Sequence, residues 1–279
     1  MHSPKFSLIM ATLGRDKEII SFLEVLLKQT YKYFELLIID QNEDNRVLNI
    51  YNNYKEKLDI KYFHNDVKGL SVNRNIGLKN TSGEIIAFPD DDCIYESDTL
   101  EKAAAFFNEN QNYSFYICNT RDIRGEGSVL KTKKNNEDIS IFNFTNSGIS
   151  FTIFVRNSAF KTFNFDENLG LGTLFGSGEE SDLILFLLKN NNKGRYIAGN
   201  YIYHPVKSET AEKAFEYGKG FGAIYKKAVF YYNFIILLPI YFLRILKCFI
   251  NIILYNNKKV RYASFNGRLQ GFFYYKKQK

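Results

Sequence analysis

Gly83-Glu-Ile-Ile-Ala-Phe-Pro-Asp-Asp-Asp-Cys93 joins a short apolar run to three consecutive carboxylates. Ile85 to Phe88, bounded by Gly83 and Pro89, reads as a buried strand. Side chains alternate faces along an extended chain, so Asp90 and Asp92 point one way and Asp91 the other. Adjacent aspartates repel one another and gain little from packing, which calls for a cation. A hard divalent ion takes oxygen ligands and often bridges to phosphate. A bare Asp-x-Asp is equally compatible with a solvated acidic turn. The strand before it and the pieces around it favour the cation.

Working outward, Lys5 to Met10 reads as a first strand, followed by the tight loop Ala11 to Arg15. Asp16 is placed to cap a helix whose apolar residues include Ile19, Phe22, Leu23 and Leu26. Leu36 to Ile39 forms a second apolar run ending in Asp40-Gln41-Asn42. A helix is expected over Arg46 to Lys57, a strand over Ile60 to His64 and a helix over Ser71 to Lys79. Strands alternating with helices imply an α/β fold with a Rossmann-like, mostly parallel sheet flanked by helices. Ligands then bind beyond the carboxyl ends of the strands, where Thr12, Asp40 and Asp90 to Asp92 all fall. The first strand is followed by no Gly-x-Gly-x-x-Gly turn and no Walker-type loop, which disfavours an NAD enzyme or a P-loop NTPase.

The succession resembles the family 2 glycosyltransferases, which have the GT-A fold. The matching pieces are Leu8-Ile-Met-Ala-Thr-Leu-Gly-Arg15, Leu27-Lys-Gln-Thr-Tyr31 with Phe34-Glu-Leu-Leu-Ile-Ile-Asp40, Gly69-Leu-Ser-Val-Asn-Arg-Asn-Ile-Gly77, and Gly83 to Asp92. The resemblance implies that Thr12, Asp40, Arg74, Asp90 and Asp91 serve the nucleotide-sugar. It also implies that Asp92 binds Mn²⁺ or Mg²⁺. Many members carry a second Asp where this chain has Gln41, a departure in the base pocket. Further on, Gly176-Ser-Gly-Glu-Glu-Ser-Asp-Leu183 leads into an apolar helix. Carboxylates on a helix's first turn are favoured by its dipole, so capping alone would explain them. The stretch is also similar to the family's Glu-Asp motif, which implies Glu180 as catalytic base, with Glu179 and Asp182 as fallbacks. A His at the distance of His204 implies a further metal ligand, and a lone His is equally compatible with a structural role.

After the Asp motif a helix is expected over Asp98 to Asn110, and strands over Phe115 to Cys118 and Ile149 to Val155. Arg121 to Asn146 is polar and reads as a long loop or flap on the acceptor side. The net charge of +7 comes from the end of the chain: residues 226–279 hold 11 of the 37 Lys/Arg and no Asp or Glu, leaving 26 basic against 30 acidic residues before them. That tail is also apolar, so an anionic membrane surface is the expected partner and nucleic acid is not. Ala228 to Leu243 is a 16-residue uncharged stretch interrupted by Pro239 and flanked by Lys226-Lys227 and Arg244. Spanning takes about 20 apolar residues, so helices lying in the interface are favoured over one short spanning helix or a buried oligomer contact. Cys93, Cys118 and Cys248 form no paired motif, and the first residues lack a signal-peptide pattern.

The sequence therefore predicts a donor half over residues 1–110, an acceptor and catalytic half over 111–222, and a membrane-associated tail over 223–279. The expected activity is an inverting, metal-dependent transfer from a nucleotide-diphosphate sugar, a UDP-sugar by the resemblance. The acceptor is a glycan or glycolipid of surface polysaccharide synthesis, at the cytoplasmic face of the membrane. The rivals are an inactive membrane-bound scaffold and a metal-dependent nucleotidyltransferase.

Overall fold

A computed structural model describes residues 2–125, 127–128, 130–206 and 208–276. Two positions of the 121–146 loop and the last three of the tail lie outside the described residues. The chain divides into two compact units. The first comprises residues 1–68, 72–164 and 190–206, and the second comprises 69–71, 165–189 and 207–279.

The first unit is built on one sheet. Its leading strands are β1 (Phe6–Thr12), β2 (Phe34–Asp40), β3 (Ile60–His64) and β4 (Ile85–Ala87). β2 and β4 pair in parallel with β1, and β3 in parallel with β2. The helices α1 (Lys17–Leu27), α2 (Arg46–Tyr54), α3 (Leu70–Lys79) and α4 (Thr99–Glu109) connect or follow them. Every residue of β2 is buried, as are Ile85, Ile86 and Ala87, because both faces of such a sheet are covered. α1 buries Ile19, Phe22, Leu23 and Leu26, one apolar stripe, and the Asp16 carboxylate caps it. The register places Thr12 beside Asp40, so two strand ends open at the same level.

Beyond β4 the sheet becomes mixed. It continues through β8 (Ile153–Arg156), β6 (Phe115–Arg121), β9 (Gly194–Tyr203) and β5 (Ile94–Tyr95), with β7 (Glu137–Asp138) also on β9. β8 runs antiparallel to both β4 and β6, whereas β9 runs parallel to β6. The parallel order read from sequence therefore covers β3-β2-β1-β4 and gives way here. Gly83, at the entry to β4, admits no side chain, since a Cβ would lie 2.6 Å from the Ser7 nitrogen. Ser7 Oγ accepts the Gly83 N–H at 2.8 Å and donates to the buried Glu35 at 2.5 Å. Glu35 also receives Ser82 N–H at 2.6 Å and lies 2.7 Å from Lys61 Nζ. Burial pushes this carboxyl up, but Lys61, Ser7 and Ser82 together hold it down at about 2.

The second unit carries α5 (Glu179–Lys189), α6 (Ala211–Phe230), α7 (Leu237–Leu254) and α8 (Lys258–Tyr274). α6 and α8 meet backbone to backbone. A Cβ on Gly222 would lie 2.0 Å from the Arg268 carbonyl oxygen, and one on Gly271 would lie 1.9 Å from that of Lys219. Pro239 does not break the apolar stretch as the sequence suggested. It sits in the first turn of α7, where its missing N–H has no partner to lose. Phe242, Leu243, Leu246, Phe249, Ile250, Ile253 and Leu254 of α7 are exposed. At 100° per residue they form one apolar arc of roughly 140°. Only 11% of α7 is buried, and it is long and apolar enough to cross a membrane. Lys227, read from sequence as a basic flank of the apolar stretch, is instead buried at 3% exposure. It is a partner of two carboxylates of its own unit.

Candidate active site

The carboxyl ends of β1, β2 and β4 deliver Thr12, Asp40 and the three aspartates. Pro89 ends β4, and Asp90 to Asp92 follow in a turn whose Cys93 N–H is accepted by the Asp90 carbonyl at 3.2 Å. Asp90 and Asp92 converge on His204, which follows β9 immediately. His204 Nε2 lies 2.9 Å from Asp92 Oδ1 and 3.8 Å from Asp90 Oδ2. Asp91 turns instead to Thr12, whose hydroxyl donates to its Oδ2 at 2.7 Å. Burial pushes Asp91 up to about 6, against the Thr12 hydroxyl and the Arg15 guanidinium, which pull it down.

Ligand atoms of Asp90, Asp92 and His204 lie within 4.8 Å of one another. Two carboxylates and an imidazole suit a divalent ion such as Mn²⁺ or Mg²⁺. The His204 Nδ1 faces the Pro205 carbonyl at 2.9 Å, which can only accept, so Nδ1 donates there and Nε2 is the ring atom turned toward Asp92. Phe151 stacks on the ring at 4.7 Å with an interplanar angle of 3° and fixes its plane.

Two arginines offset the acidic cluster. Arg74, 1% exposed, donates to Ser150 Oγ at 2.8 Å and reaches Asp90 Oδ1 at 3.3 Å. Arg15 donates to Asp92 Oδ2 at 2.7 Å and lies 3.5 Å from Asp91 Oδ1. Arg15 ends the stretch Leu8 to Arg15, and the resemblance assigned it no role there. Its place one turn past a strand end that also carries Thr12 was the available signal. Asp40 is fully buried and hydrogen-bonded at both oxygens: Asn42 donates to Oδ1 from its backbone and side chain at 2.9 and 2.7 Å, and the Tyr62 hydroxyl to Oδ2 at 2.8 Å. Gln41 is buried beside it, its N–H donating to the Thr12 carbonyl at 3.1 Å. Ser150, Phe151 and Tyr62 gave no sequence signal, because nothing in their surroundings marks a polar or stacking partner so far along the chain.

In the second unit, Gly178 hands the chain into α5 at φ 102°, a left-handed value, and its carbonyl accepts the Asp182 N–H at 2.9 Å. The three carboxylates of the first turn have different surroundings. Asp182 is fully enclosed by Lys227 and Tyr232, each 2.8 Å away. Glu179 is buried against Gly170, where a Cβ would come within 3.3 Å of its Oε2. Glu180 is the partly exposed member of the three.

A parallel sheet that ends in an Asp-Asp-Asp turn, continued by mixed strands, is the GT-A architecture. Solved structures agree on that fold. Staphylococcus aureus TarS 1–349 in complex with UDP-GlcNAc superposes with TM-score 0.67 at 23% identity, covering 81% of this chain and 65% of that one. The mannosyltransferase PcManGT of Pyrobaculum calidifontis, in complex with GDP-Man and Mn²⁺, gives 0.70 at 11% identity over 98% of this chain and 88% of that one. The family model described as Glycosyl transferase family 2 matches residues 7–173, and the chain belongs to that family. Among its relatives, the poly(ribitol-phosphate) beta-N-acetylglucosaminyltransferase TarS of S. aureus strain MW2 is 26% identical over 74% of this chain and 36% of its own length. The GalNAc(5)-diNAcBac-PP-undecaprenol beta-1,3-glucosyltransferase of Campylobacter jejuni is 27% identical over 59% of this chain and 55% of its own. The chain spans 22% of an uncharacterized glycosyltransferase of Rickettsia felis, to which it is 33% identical over 47% of its own length.

Proposed function

We propose that the protein is an inverting, metal-dependent glycosyltransferase that moves a sugar from a nucleotide-diphosphate donor to a glycan or lipid-linked glycan. The convergence of Asp90, Asp92 and His204 beyond the ends of a nucleotide-binding type of sheet carries this reading. A divalent ion held by Asp92 and His204, with Asp90 beside them, would supply positive charge for the leaving diphosphate. Thr12 holds Asp91 in place, Asp40 is pre-set by Asn42 and Tyr62 for the nucleoside, and Arg74 fixes Asp90. Glu180, the accessible carboxylate of its helix turn, takes the proton from the acceptor hydroxyl as that oxygen attacks the anomeric carbon. Attack from the face opposite the leaving group inverts that centre.

The TarS complex with UDP-GlcNAc supports a UDP-sugar donor, and the relatives' names support a glycan acceptor, since one names poly(ribitol-phosphate) and another an undecaprenol-linked glycan. A lipid-linked acceptor also gives the exposed arc of α7 a use. We read α7 as lying in the interface of the cytoplasmic face of the cell membrane, with Lys247, Lys258 and Lys259 toward anionic headgroups. In this scheme residues 1–110 serve the donor, 111–222 the acceptor and the base, and 223–279 the membrane.

Glu180→Gln tests the chemistry. In nucleotide release from UDP-GlcNAc, UDP-glucose, UDP-galactose and GDP-mannose with Mn²⁺, where water takes the acceptor's place and the same base deprotonates it, the variant should lose about 100-fold in turnover, within the range of a general base. Its donor affinity should be unchanged. Turnover equal to that of the unsubstituted protein would overturn the assignment.

A further inference from the structure

The buried polar cluster of the second unit has no part in the donor site, and its members come from separate stretches. Lys227 of α6 places its Nζ 2.8 Å from Asp166 Oδ2 and 2.8 Å from Asp182 Oδ2. Tyr232, just beyond α6, donates to Asp182 Oδ1 at 2.8 Å. Tyr275, at the end of α8, donates to Asp166 Oδ2. Asp166 in turn accepts the Asn168 N–H at 3.1 Å, at the start of the loop that leads to α5. Asp182 and Lys227 are 1% and 3% exposed.

Such a cluster is a costly way to gain stability, because apolar groups of the same shape do as well or better. What it provides is one defined arrangement of the groups that meet in it. Asp182 stands two residues after Glu180 on the same helical turn, and a helix moves as a rod of fixed rise and rotation. Fixing the Asp182 carboxylate on two sides therefore fixes the rotation and height of that turn.

Resting on the reading of Glu180 as base, we propose that Asp182, Lys227 and Tyr232, with Asp166 and Tyr275 behind them, form a positioning clamp for that base. The C-terminal helices are then part of the catalytic apparatus as well as a membrane attachment. Lys227 and both tyrosines lie within residues 226–279, so removing the tail would disable the base as well as free the protein from membranes.

The test compares Asp182→Asn and Tyr232→Phe with the unsubstituted full chain. Hydrogen exchange reads the helix turn without any substrate. Amides of residues 182–184 should exchange at least about tenfold faster in Asp182→Asn and about threefold faster in Tyr232→Phe, with the strands of the first unit unchanged. Turnover of the donor that gives the largest Mn²⁺-dependent thermal shift among the four named above should fall by similar factors. The KM for that donor should stay within twofold, which a general loss of structure would not produce. Unchanged exchange in both variants, or unchanged turnover where exchange has risen, overturns the clamp. Tyr232→Phe decides the matter if Asp182→Asn does not fold. Because exchange needs no activity, a failure of the Glu180 assignment shows separately, as full turnover in Glu180→Gln.

Discussion

Arg15→Met is the most informative single change at the acidic turn. The guanidinium donates to Asp92 at 2.7 Å, lies 3.5 Å from Asp91, and is 24% exposed at the side chain. A hydrogen bond between charged groups is worth about 1.5–3 kcal/mol, and partial exposure places this one near 2 kcal/mol. Methionine keeps most of the volume and removes the charge. Asp92 then has one fewer cation competing for it, while His204 and Asp90 are untouched. If a divalent ion shares the Asp92 carboxylate, its binding should tighten by up to about 30-fold, the equivalent of 2 kcal/mol. Isothermal titration of MnCl₂ into the protein without nucleotide measures this directly. The metal-free variant should also be less stable by about 2 kcal/mol and should regain that on adding Mn²⁺. An Mn²⁺ affinity that is unchanged or weaker in Arg15→Met would refute the argument that arginine and metal share one carboxylate.

Glu35 is held at about 2 against an ordinary 4.5, so its contribution is complete above pH 4.5 and is lost as pH falls through about 2. Glu35→Gln should remove roughly 3 kcal/mol at neutral pH and flatten the acid limb of the stability curve over that window; an unchanged limb in urea unfolding contradicts it. Gly271→Ala sets a methyl 1.9 Å from the Lys219 carbonyl oxygen and should cost about 1–3 kcal/mol by forcing α6 and α8 apart; a neutral result in thermal unfolding would contradict the close contact. Leu246→Glu with Phe249→Glu places charges in the exposed arc of α7 and should weaken binding to vesicles rich in anionic phospholipid by at least about tenfold in co-sedimentation. Unchanged partitioning would locate the membrane surface elsewhere.

The first half of the sheet was legible because strand and helix periods alternate cleanly there. The ends of β1, β2 and β4 could be named from runs such as Leu36 to Ile39. In the second half the expected strands over Phe115 to Cys118 and Ile149 to Val155 correspond to β6 and β8, with Ser150 to Thr152 a 3₁₀ turn instead, but their pairing was not legible, because β5 and β7 are two residues each and β9 returns from far along the chain to pair with β6. No local period reports such a pairing. The aspartates and His204 could be proposed from their spacing and resemblance, while the ring that orients His204 could not, since Phe151 lies in a single 3₁₀ turn. Lys227 shows the limit most plainly. A lysine beside an apolar run reads as a headgroup contact, and only its three-dimensional neighbours reveal a buried ion pair. Pro239 misled for the complementary reason: its cost depends on its place within a helix, which the flanking apolar residues did not mark.

The central claim is that Asp90, Asp92 and His204 hold a divalent ion that completes a nucleotide-sugar site. Calorimetric binding of UDP-GlcNAc, UDP-glucose, UDP-galactose and GDP-mannose, with and without Mn²⁺, to the unsubstituted protein and to Asp92→Ala tests it most directly. The account predicts binding of one nucleotide class that requires Mn²⁺ and falls by at least about tenfold in a folded Asp92→Ala. Metal-independent binding, or equal metal-dependent binding in the variant, would contradict it.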